Sequence, residues 1–144
     1  MKKLSKKTPA QKLTSRLDVL CSEIVRRRAI QRVGGCERCL TKKYDQPRED
    51  GFTYPAWMTL QWCHFIGRTA HSVRWDLDNA AGLCGGCHTY LDSRSREKEE
   101  FIVAQIGEQG YDLLIGRERM NIKADKQLLL LYLKNKLEEL DGGI

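Results

Sequence analysis

Two Cys-x-x-Cys pairs constrain the fold of this chain more than any other feature of its sequence. Cys36 and Cys39 form the first pair, and Cys84 and Cys87 form the second. Four thiolates arranged in two such pairs are the usual ligand set of a closed, tetrahedral structural zinc site. A zinc ion held in this way would join the two ends of the segment between the pairs. The sequence therefore predicts a small domain organised around a zinc clamp.

Two other interpretations of the cysteines fit the sequence less well. A redox dithiol of the thioredoxin kind needs a βαβ context, which the flanking sequence lacks. The run Cys84-Gly-Gly-Cys87-His88 has the form of a c-type haem attachment site. That interpretation requires export of the chain and leaves the first cysteine pair unexplained. Cys21 lies far from both pairs and is interpreted as a small apolar residue on a helix face.

Composition and charge indicate one small domain with a basic amino-terminal segment. The chain has 144 residues, of which 41% are hydrophobic and 31% charged, so a bound metal would reinforce a thin core. Residues 1–35 carry ten Lys or Arg and two Asp or Glu, a charge of +8, against +6 for the whole chain. This asymmetry favours a polyanionic partner, nucleic acid before an anionic membrane, over a solubilising tail. With no signal peptide or membrane-spanning run in the sequence, we expect a cytoplasmic protein.

The basic segment is predicted to form an amphipathic helix. Thr8-Pro9 is typical of a helix start, and Gly34-Gly35 is typical of a helix end. Between them, leucine and isoleucine recur at helical spacing and arginines occupy many of the other positions. We expect the apolar stripe to dock on the core while arginines meet phosphates.

The remaining elements are predicted to be short, which gives an α+β fold class. They are a loop over 42–55, a strand over 59–66, an extended piece over 73–75, a strand over 80–83, a helix running from Cys87 to a break at Gly107 and Gly110, and a last helix over 124–140. Trp62 and Trp75 are assigned to core packing. The leucine stripe of the last helix is assigned to the core, with a dimer interface left open.

Three polar residues, two between the cysteine pairs and one directly after the second pair, can carry chemistry. His64 lies on the predicted strand, and His88 lies in the first turn of the helix that follows the second pair. A neutral imidazole, with an ordinary pKa of about 6.5, can accept a proton from water at neutral pH. A second imidazole can bind a divalent cation that stabilises charge on a phosphate. Asn79 completes this constellation.

Three runs of sequence around these residues carry a family resemblance. The runs are CHFIGR at 63–68, RWDLDN at 74–79 and LCGGCH at 83–88. Together they resemble the zinc-bracketed motif of HNH endonucleases, which have a ββα-metal (His-Me finger) core. Within that superfamily the chain is most similar to phage recombination nucleases of the NinG (Rap) type, which also carry a basic helix before the first cysteine pair. The resemblance covers residues 36–94.

The resemblance implies a role for each matched residue. His64 matches the general base that activates water, and Asn79 matches the residue whose side chain orients that region and helps hold the base imidazole. His88 matches a ligand of a catalytic Mg²⁺ or Mn²⁺. The four paired cysteines match the ligands of a structural Zn²⁺. Hydrolysis in this superfamily leaves 5′-phosphate and 3′-hydroxyl ends.

The expected activity is that of a metal-dependent DNA endonuclease acting on branched or recombination-intermediate DNA during phage growth, in the cytoplasm of an infected bacterial host. The expected domains are a basic N-terminal helix over 1–35, a zinc-bound HNH nuclease core over 36–106 and a C-terminal helical segment over 107–144. DNA phosphates are expected to contact five arginines, namely Arg26, Arg27, Arg28, Arg68 and Arg74. A non-catalytic zinc-dependent DNA-binding module and an HNH nickase in phage genome packaging are the alternatives, and a homodimer is left open.

Cys63 departs from the family pattern. The position before the general base commonly holds Asp or His as a second metal ligand, and a thiolate is a poor ligand for a hard cation such as Mg²⁺. The catalytic ion is therefore expected either to be held by His88 and another group or to be a softer metal. Asp76 and Asp78 are the nearest acidic candidates in the sequence.

Overall fold

The fold is α+β, as expected. The computed structural model describes residues 3–142 and contains, within them, four α-helices and two small antiparallel sheets, β1–β2 and β3–β4. No helix in this part of the chain is long and apolar enough to cross a membrane. The elements are α1 (Pro9–Val33), β1 (Gln46–Pro47), β2 (Thr53–Tyr54), β3 (Gln61–His64), β4 (Ala80–Leu83), α2 (Gly85–Asp92), α3 (Ser95–Met120) and α4 (Lys126–Asp141).

Helix α1 is a core element with well-defined ends. Thr8 and Gln11 form a capping box, in which each side chain accepts a hydrogen bond from the backbone N–H of the other. Gly34 ends the helix with a left-handed φ of 70°, and its N–H donates to the carbonyl of Ile30. The predicted start and end are confirmed. The buried face of α1 comprises Leu17, Cys21, Ile24, Val25 and Ala29, which also confirms the apolar role of Cys21.

The β3–β4 hairpin lies directly on α1. Its register pairs Gln61 with Leu83 at one end and His64 with Ala80 at the other. A Cβ atom placed on Gly82 would lie 2.7 Å from the Cβ of Ala29, a distance that real side chains do not tolerate. Glycine at position 82 therefore permits the close contact between the hairpin and the helix.

The two faces of β3 pack against different parts of the core. Trp62 joins a cluster that includes Leu17 of α1 and Leu133 of α4. Cys63 joins a second cluster that includes Cys36, Cys87 and Leu91. Side chains alternate along a strand, so neighbouring residues of β3 face opposite sides of the hairpin. The core role predicted for Trp62 is confirmed, and Trp75 is buried in the same cluster.

Two predictions about the loops are wrong. Residues 73–75 form successive turns rather than an extended piece, because Val73 N–H donates to Ala70 and Val73 C=O accepts from Asp76. Residues 42–55 are not loop throughout, since β1 and β2 pair within them. Both strands are only two residues long, which is below the length at which alternation can be recognised.

The helices after the second cysteine pair also differ from expectation. The chain forms two helices, with α2 ending at Asp92 and α3 beginning at Ser95. Gly107 takes a φ of 78° and kinks α3, but the helix continues beyond it to Met120. In α4, Leu130 and Leu133 are buried, which confirms that its leucine stripe packs in the core. The dimer interface remains a prediction.

Candidate metal centres

The four paired cysteines converge on one point. Their sulfur atoms all lie within 4.8 Å of one another. The Sγ atoms of Cys39 and Cys84 are 3.8 Å apart. In a tetrahedral site with Zn–S bonds of about 2.3 Å, the sulfurs are separated by about 3.8 Å. The cluster can therefore hold a structural metal ion such as zinc.

Backbone geometry shapes the first knuckle, residues 36–41. Leu40 N–H donates to the carbonyl of Cys36 (2.9 Å), and Cys36 N–H donates to the carbonyl of Thr41 (3.1 Å). Leu40 takes a left-handed φ of 61°, which is unfavourable for a residue with a side chain. A Cβ on Gly35 would lie 1.9 Å from the Thr41 carbonyl oxygen, so only glycine fits there.

Further contacts join the first knuckle to the second cysteine pair. Glu37 N–H donates to the carbonyl of Gly82 (3.0 Å), two residues before Cys84. The guanidinium of Arg38 lies 3.4 Å from the sulfur of Cys87. A cation at this distance offsets part of the negative charge that four thiolates would leave on a zinc site.

A second group of potential ligands, which we call the second metal cluster, consists of Cys63, His88 and Asp92. One sulfur, one nitrogen and one oxygen atom from these residues lie within 4.8 Å of one another. His88 and Asp92 are four residues apart in α2 and so share a helix face, with Nε2 of His88 3.3 Å from Oδ2 of Asp92. Two ligands at about 2.1 Å from a tetrahedral ion are about 3.4 Å apart. The mixed donor set suits a borderline ion such as Zn²⁺ or Co²⁺ better than Mg²⁺.

Each member of the second metal cluster is held by its surroundings. Oε1 of Gln61 lies 2.8 Å from Nδ1 of His88. Lys98 donates to Oδ1 of Asp92 (3.0 Å), the oxygen that does not face His88. Burial raises the pKa of the Cys63 thiol to about 11, so this sulfur keeps its proton at neutral pH unless a cation displaces it.

The acidic residues proposed from sequence lie elsewhere. Asp76 accepts a hydrogen bond from Arg117 (2.6 Å), and Asp78 lies 3.4 Å from the same guanidinium. Asp92 is the acidic member of the second metal cluster and was not predicted from the sequence. Its spacing from His88 on a predicted helix was the signal that could have found it.

His64 is held as a neutral imidazole on the opposite side of β3. It is 8% exposed, and its ring centroid lies 4.0 Å from that of Trp62. Its Nε2 atom lies 3.0 Å from the carbonyl oxygen of Arg74. A carbonyl only accepts, so Nε2 carries the proton and Nδ1 keeps the lone pair. Burial lowers the pKa of His64 to about 4, and the side chain is therefore uncharged at neutral pH.

Asn79 organises the loop that supplies this carbonyl. Its side chain is fully buried, donates to the carbonyls of Ile66 (2.9 Å) and Val73 (3.0 Å), and accepts from Ile66 N–H (2.7 Å). These bonds join the two ends of the loop 66–73. Arg74 follows that loop directly, so Asn79 positions the hydrogen-bond partner of His64. The expected direct hold on the imidazole is wrong in that the side-chain hydrogen bonds of Asn79 go to Ile66 and Val73 instead.

The five arginines predicted to contact DNA have different environments. Four of them make hydrogen bonds inside the protein: Arg26 to Ser22, Arg27 to Asp141, Arg28 to the carbonyls of Leu77 and Ala80, and Arg74 to Asp18. Arg68 is exposed, with its guanidinium carbon 5.4 Å from the ring centroid of Trp62. Among residues 3–142, no carboxylate pairs with Arg68. Contact with DNA remains a prediction for all five.

Comparison with known proteins adds no relative. No protein-family model, curated protein or solved structure matches this chain. The chemistry of the site residues and the motif resemblance are therefore the grounds on which a function can be argued.

Proposed function

We propose that this protein is a metal-dependent DNA endonuclease of the HNH type. The observation that carries the proposal is the convergence of Cys63, His88 and Asp92 on one cation-sized site. The residue after Cys63 is His64, a neutral imidazole with a lone pair on Nδ1. A cation site and a neutral base at consecutive positions of one strand are the two components that phosphodiester hydrolysis requires.

His64 acts in this proposal as the general base. Its Nδ1 atom accepts a proton from the water molecule that attacks phosphorus. The hydrogen bond from Nε2 to the Arg74 carbonyl fixes the ring and the tautomer for this transfer. Positioned acid–base groups of this kind contribute about 10²- to 10⁴-fold to a rate.

The second metal cluster supplies the cation site. Nε2 of His88, Oδ2 of Asp92 and Sγ of Cys63 are the atoms that would hold the ion. A divalent ion held by these atoms would stabilise the phosphate charge and the leaving oxygen. The motif resemblance implied Mg²⁺ or Mn²⁺, whereas the sulfur and nitrogen donors favour Zn²⁺ or Co²⁺.

The proposal sets a requirement on how substrate binds. Cys63 and His64 face opposite sides of the hairpin, and β3 ends at His64. A phosphodiester must therefore lie across the end of β3 to reach both side chains. Arg68 lies four residues beyond His64, and its exposed guanidinium suits a backbone phosphate at that end. A preference for branched DNA and a role in phage growth rest on the motif resemblance.

A zinc-dependent DNA-binding module without catalysis is the second candidate. It is favoured by the burial of His64, which is only 8% exposed and packs against Trp62 on the face away from the second metal cluster. The zinc cluster and the exposed guanidinium of Arg68 would serve this function equally well. Only a cleavage measurement separates the two.

The deciding experiment is a cleavage assay on linear, nicked, flap and four-way-junction DNA with Zn²⁺, Co²⁺, Mn²⁺, Mg²⁺ or a chelator. We expect metal-dependent cutting that falls at least about 100-fold in His64→Ala and in His88→Ala, with DNA binding retained. His71→Ala is the matched control, because His71 is an exposed histidine outside both clusters. Binding without cutting under every metal would establish the DNA-binding module instead.

A further inference from the structure

We propose that Gln61 is a positioning residue that fixes the tautomer of His88 for metal binding. The inference rests on the proposed cation site at Cys63, His88 and Asp92 and identifies what orients its imidazole ligand. Gln61 belongs neither to the motif nor to the second metal cluster.

The geometry around His88 assigns its protons. Oε1 of Gln61 lies 2.8 Å from Nδ1 of His88, and an amide oxygen only accepts, so Nδ1 carries the proton. In the neutral imidazole that a metal ion requires, the lone pair is then on Nε2, the atom that lies 3.3 Å from Oδ2 of Asp92. A metal ligand must present a lone pair, and imidazole ligands almost always donate their other N–H to an acceptor of this kind.

The fold explains why Gln61 is available for this role. It is two residues before Cys63 in β3, so both side chains face the α2 side of the hairpin. Gln61 pairs with Leu83, the last residue of β4, and α2 begins only two positions later at Gly85. The side chain therefore crosses from the start of one strand to the first turns of the helix.

Gly85 lets the amide of Gln61 lie closer to α2 than a residue with a side chain would allow without a small shift. A Cβ atom on Gly85 would lie 3.3 Å from Nε2 and 3.9 Å from Cδ of Gln61. A Cβ on Gly86 would meet no atom within 4 Å. The two glycines of the Cys-Gly-Gly-Cys turn thus differ, and only the first borders the amide.

The positioning role of Gln61 can be tested by replacing the amide oxygen that accepts the hydrogen bond from His88. In Gln61→Met the side chain keeps its length and loses the acceptor, so Nε2–H should donate to Asp92 instead and the imidazole should change tautomer. In Gln61→Glu a carboxylate accepts from Nδ1–H, so the original tautomer should return. Nitrogen-15 NMR of the histidine rings, in protein whose four paired cysteines are loaded with zinc, reads the tautomer directly. Gln127→Met, on the exposed surface of α4, is the control.

Metal affinity gives the second measurement. Titration of the same zinc-loaded proteins with Co²⁺ should show affinity about 10- to 100-fold lower in Gln61→Met, and restored in Gln61→Glu. Gly85→Ala should weaken Co²⁺ binding by displacing the amide, whereas Gly86→Ala should not.

The outcomes separate this inference from the proposed nuclease. An unchanged His88 tautomer in Gln61→Met, an affinity within about twofold of the parent protein, or no rescue by Gln61→Glu would each overturn the role of Gln61. Failure of the parent protein to bind Co²⁺ outside the zinc cluster would overturn it as well. If Co²⁺ binding depends on Gln61 in a protein that cuts no DNA, the positioning role of Gln61 is confirmed and the proposed nuclease activity is rejected.

Discussion

Cys63 and His64 are consecutive residues of β3, yet their side chains belong to different halves of the molecule. The thiol of Cys63 packs with Cys36, Cys87 and Leu91 on the α2 side. The imidazole of His64 packs on Trp62, which faces α1 and α4. The candidate cation site and the candidate base are thus held by separate sets of contacts. Substitutions should therefore affect metal binding and proton transfer independently.

Cys63 should be a metal ligand. Co²⁺ added to zinc-loaded protein should produce a thiolate-to-metal charge-transfer absorption, because the second metal cluster contains one sulfur. The band should disappear in Cys63→Ser, and Cys63→Asp should shift metal preference towards Mn²⁺ and Mg²⁺ by about tenfold. Co²⁺ binding with no such band would show that His88 and Asp92 hold the ion without the thiol.

The zinc cluster should be required for folding. Cys84→Ser should lose the structural zinc and most of the helical circular dichroism signal at 37 °C, because metal binding contributes directly to the folding free energy of small domains. Elemental analysis should find at least one tightly bound zinc per chain in the parent protein. Cys21→Ala is the control, since Cys21 is buried in α1 away from the cluster, and it should keep its zinc.

His64 should make the protein less stable in acid. Its pKa falls from 6.5 in an unfolded chain to about 4 in the fold, so the unfolded state binds the proton more tightly between these values. Stability associated with His64 is complete above pH 6.5 and is lost as the pH falls towards 4. Between pH 7 and pH 5, the free energy of unfolding should fall by about 2 kcal/mol more in the parent protein than in His64→Gln. Urea unfolding at both pH values measures this difference. An equal change in the free energy of unfolding in the parent protein and in His64→Gln would contradict the buried, neutral state of His64.

Arg68 should contribute to DNA affinity. Arg68→Ala should reduce affinity by about three- to tenfold and lower the slope of log affinity against log salt by about 1, as expected for the loss of one phosphate contact. Arg96→Ala provides the control, because the Arg96 side chain is 89% exposed and pairs with Glu100. Equal effects of the two substitutions in a salt titration would move the DNA contact away from the end of β3.

Leu40→Gly should stabilise the first knuckle. Leu40 has a φ of 61° and is 56% exposed, so its side chain adds little packing while its backbone is strained. Relief of that strain exceeds the entropic cost of glycine by about 0.5 kcal/mol. Leu40→Ala keeps the Cβ and should not gain stability, and thermal unfolding of the zinc-loaded proteins compares the two. A lower melting temperature for the glycine variant than for the alanine variant would show that the left-handed turn is not strained.

Local signals were sufficient to predict much of this fold. The ends of α1 followed from Thr8-Pro9 and Gly34-Gly35, because capping depends on residues that are neighbours in sequence. Strand β4 was predicted at its observed bounds, and the zinc cysteines converge as their spacing indicated. The two-residue strands β1 and β2 were missed because their pairing depends on a turn rather than on a hydrophobic period.

The partners of polar side chains could not be predicted in the same way. Asp18 is 56 residues from Arg74 in the sequence, and Leu77 is 49 residues from Arg28, yet each pair is hydrogen-bonded. Gln61 likewise reaches His88 across 27 residues. Such pairs are created by tertiary packing. The arginines were therefore predicted to be available for DNA phosphates, and the contact of Gln61 with His88 was not predicted.

The hydrogen bonds of Arg28 change how the charge of this chain should be understood. Its guanidinium donates to Leu77 and Ala80, and so holds α1 against the turn that leads into β4. A positive charge committed to carbonyls and partly buried contributes less to the field outside the protein than the same charge in water. The electrostatic attraction of the N-terminal region for a polyanion is therefore smaller than its count of lysines and arginines suggests. Deleting that region would remove a structural support together with its charge.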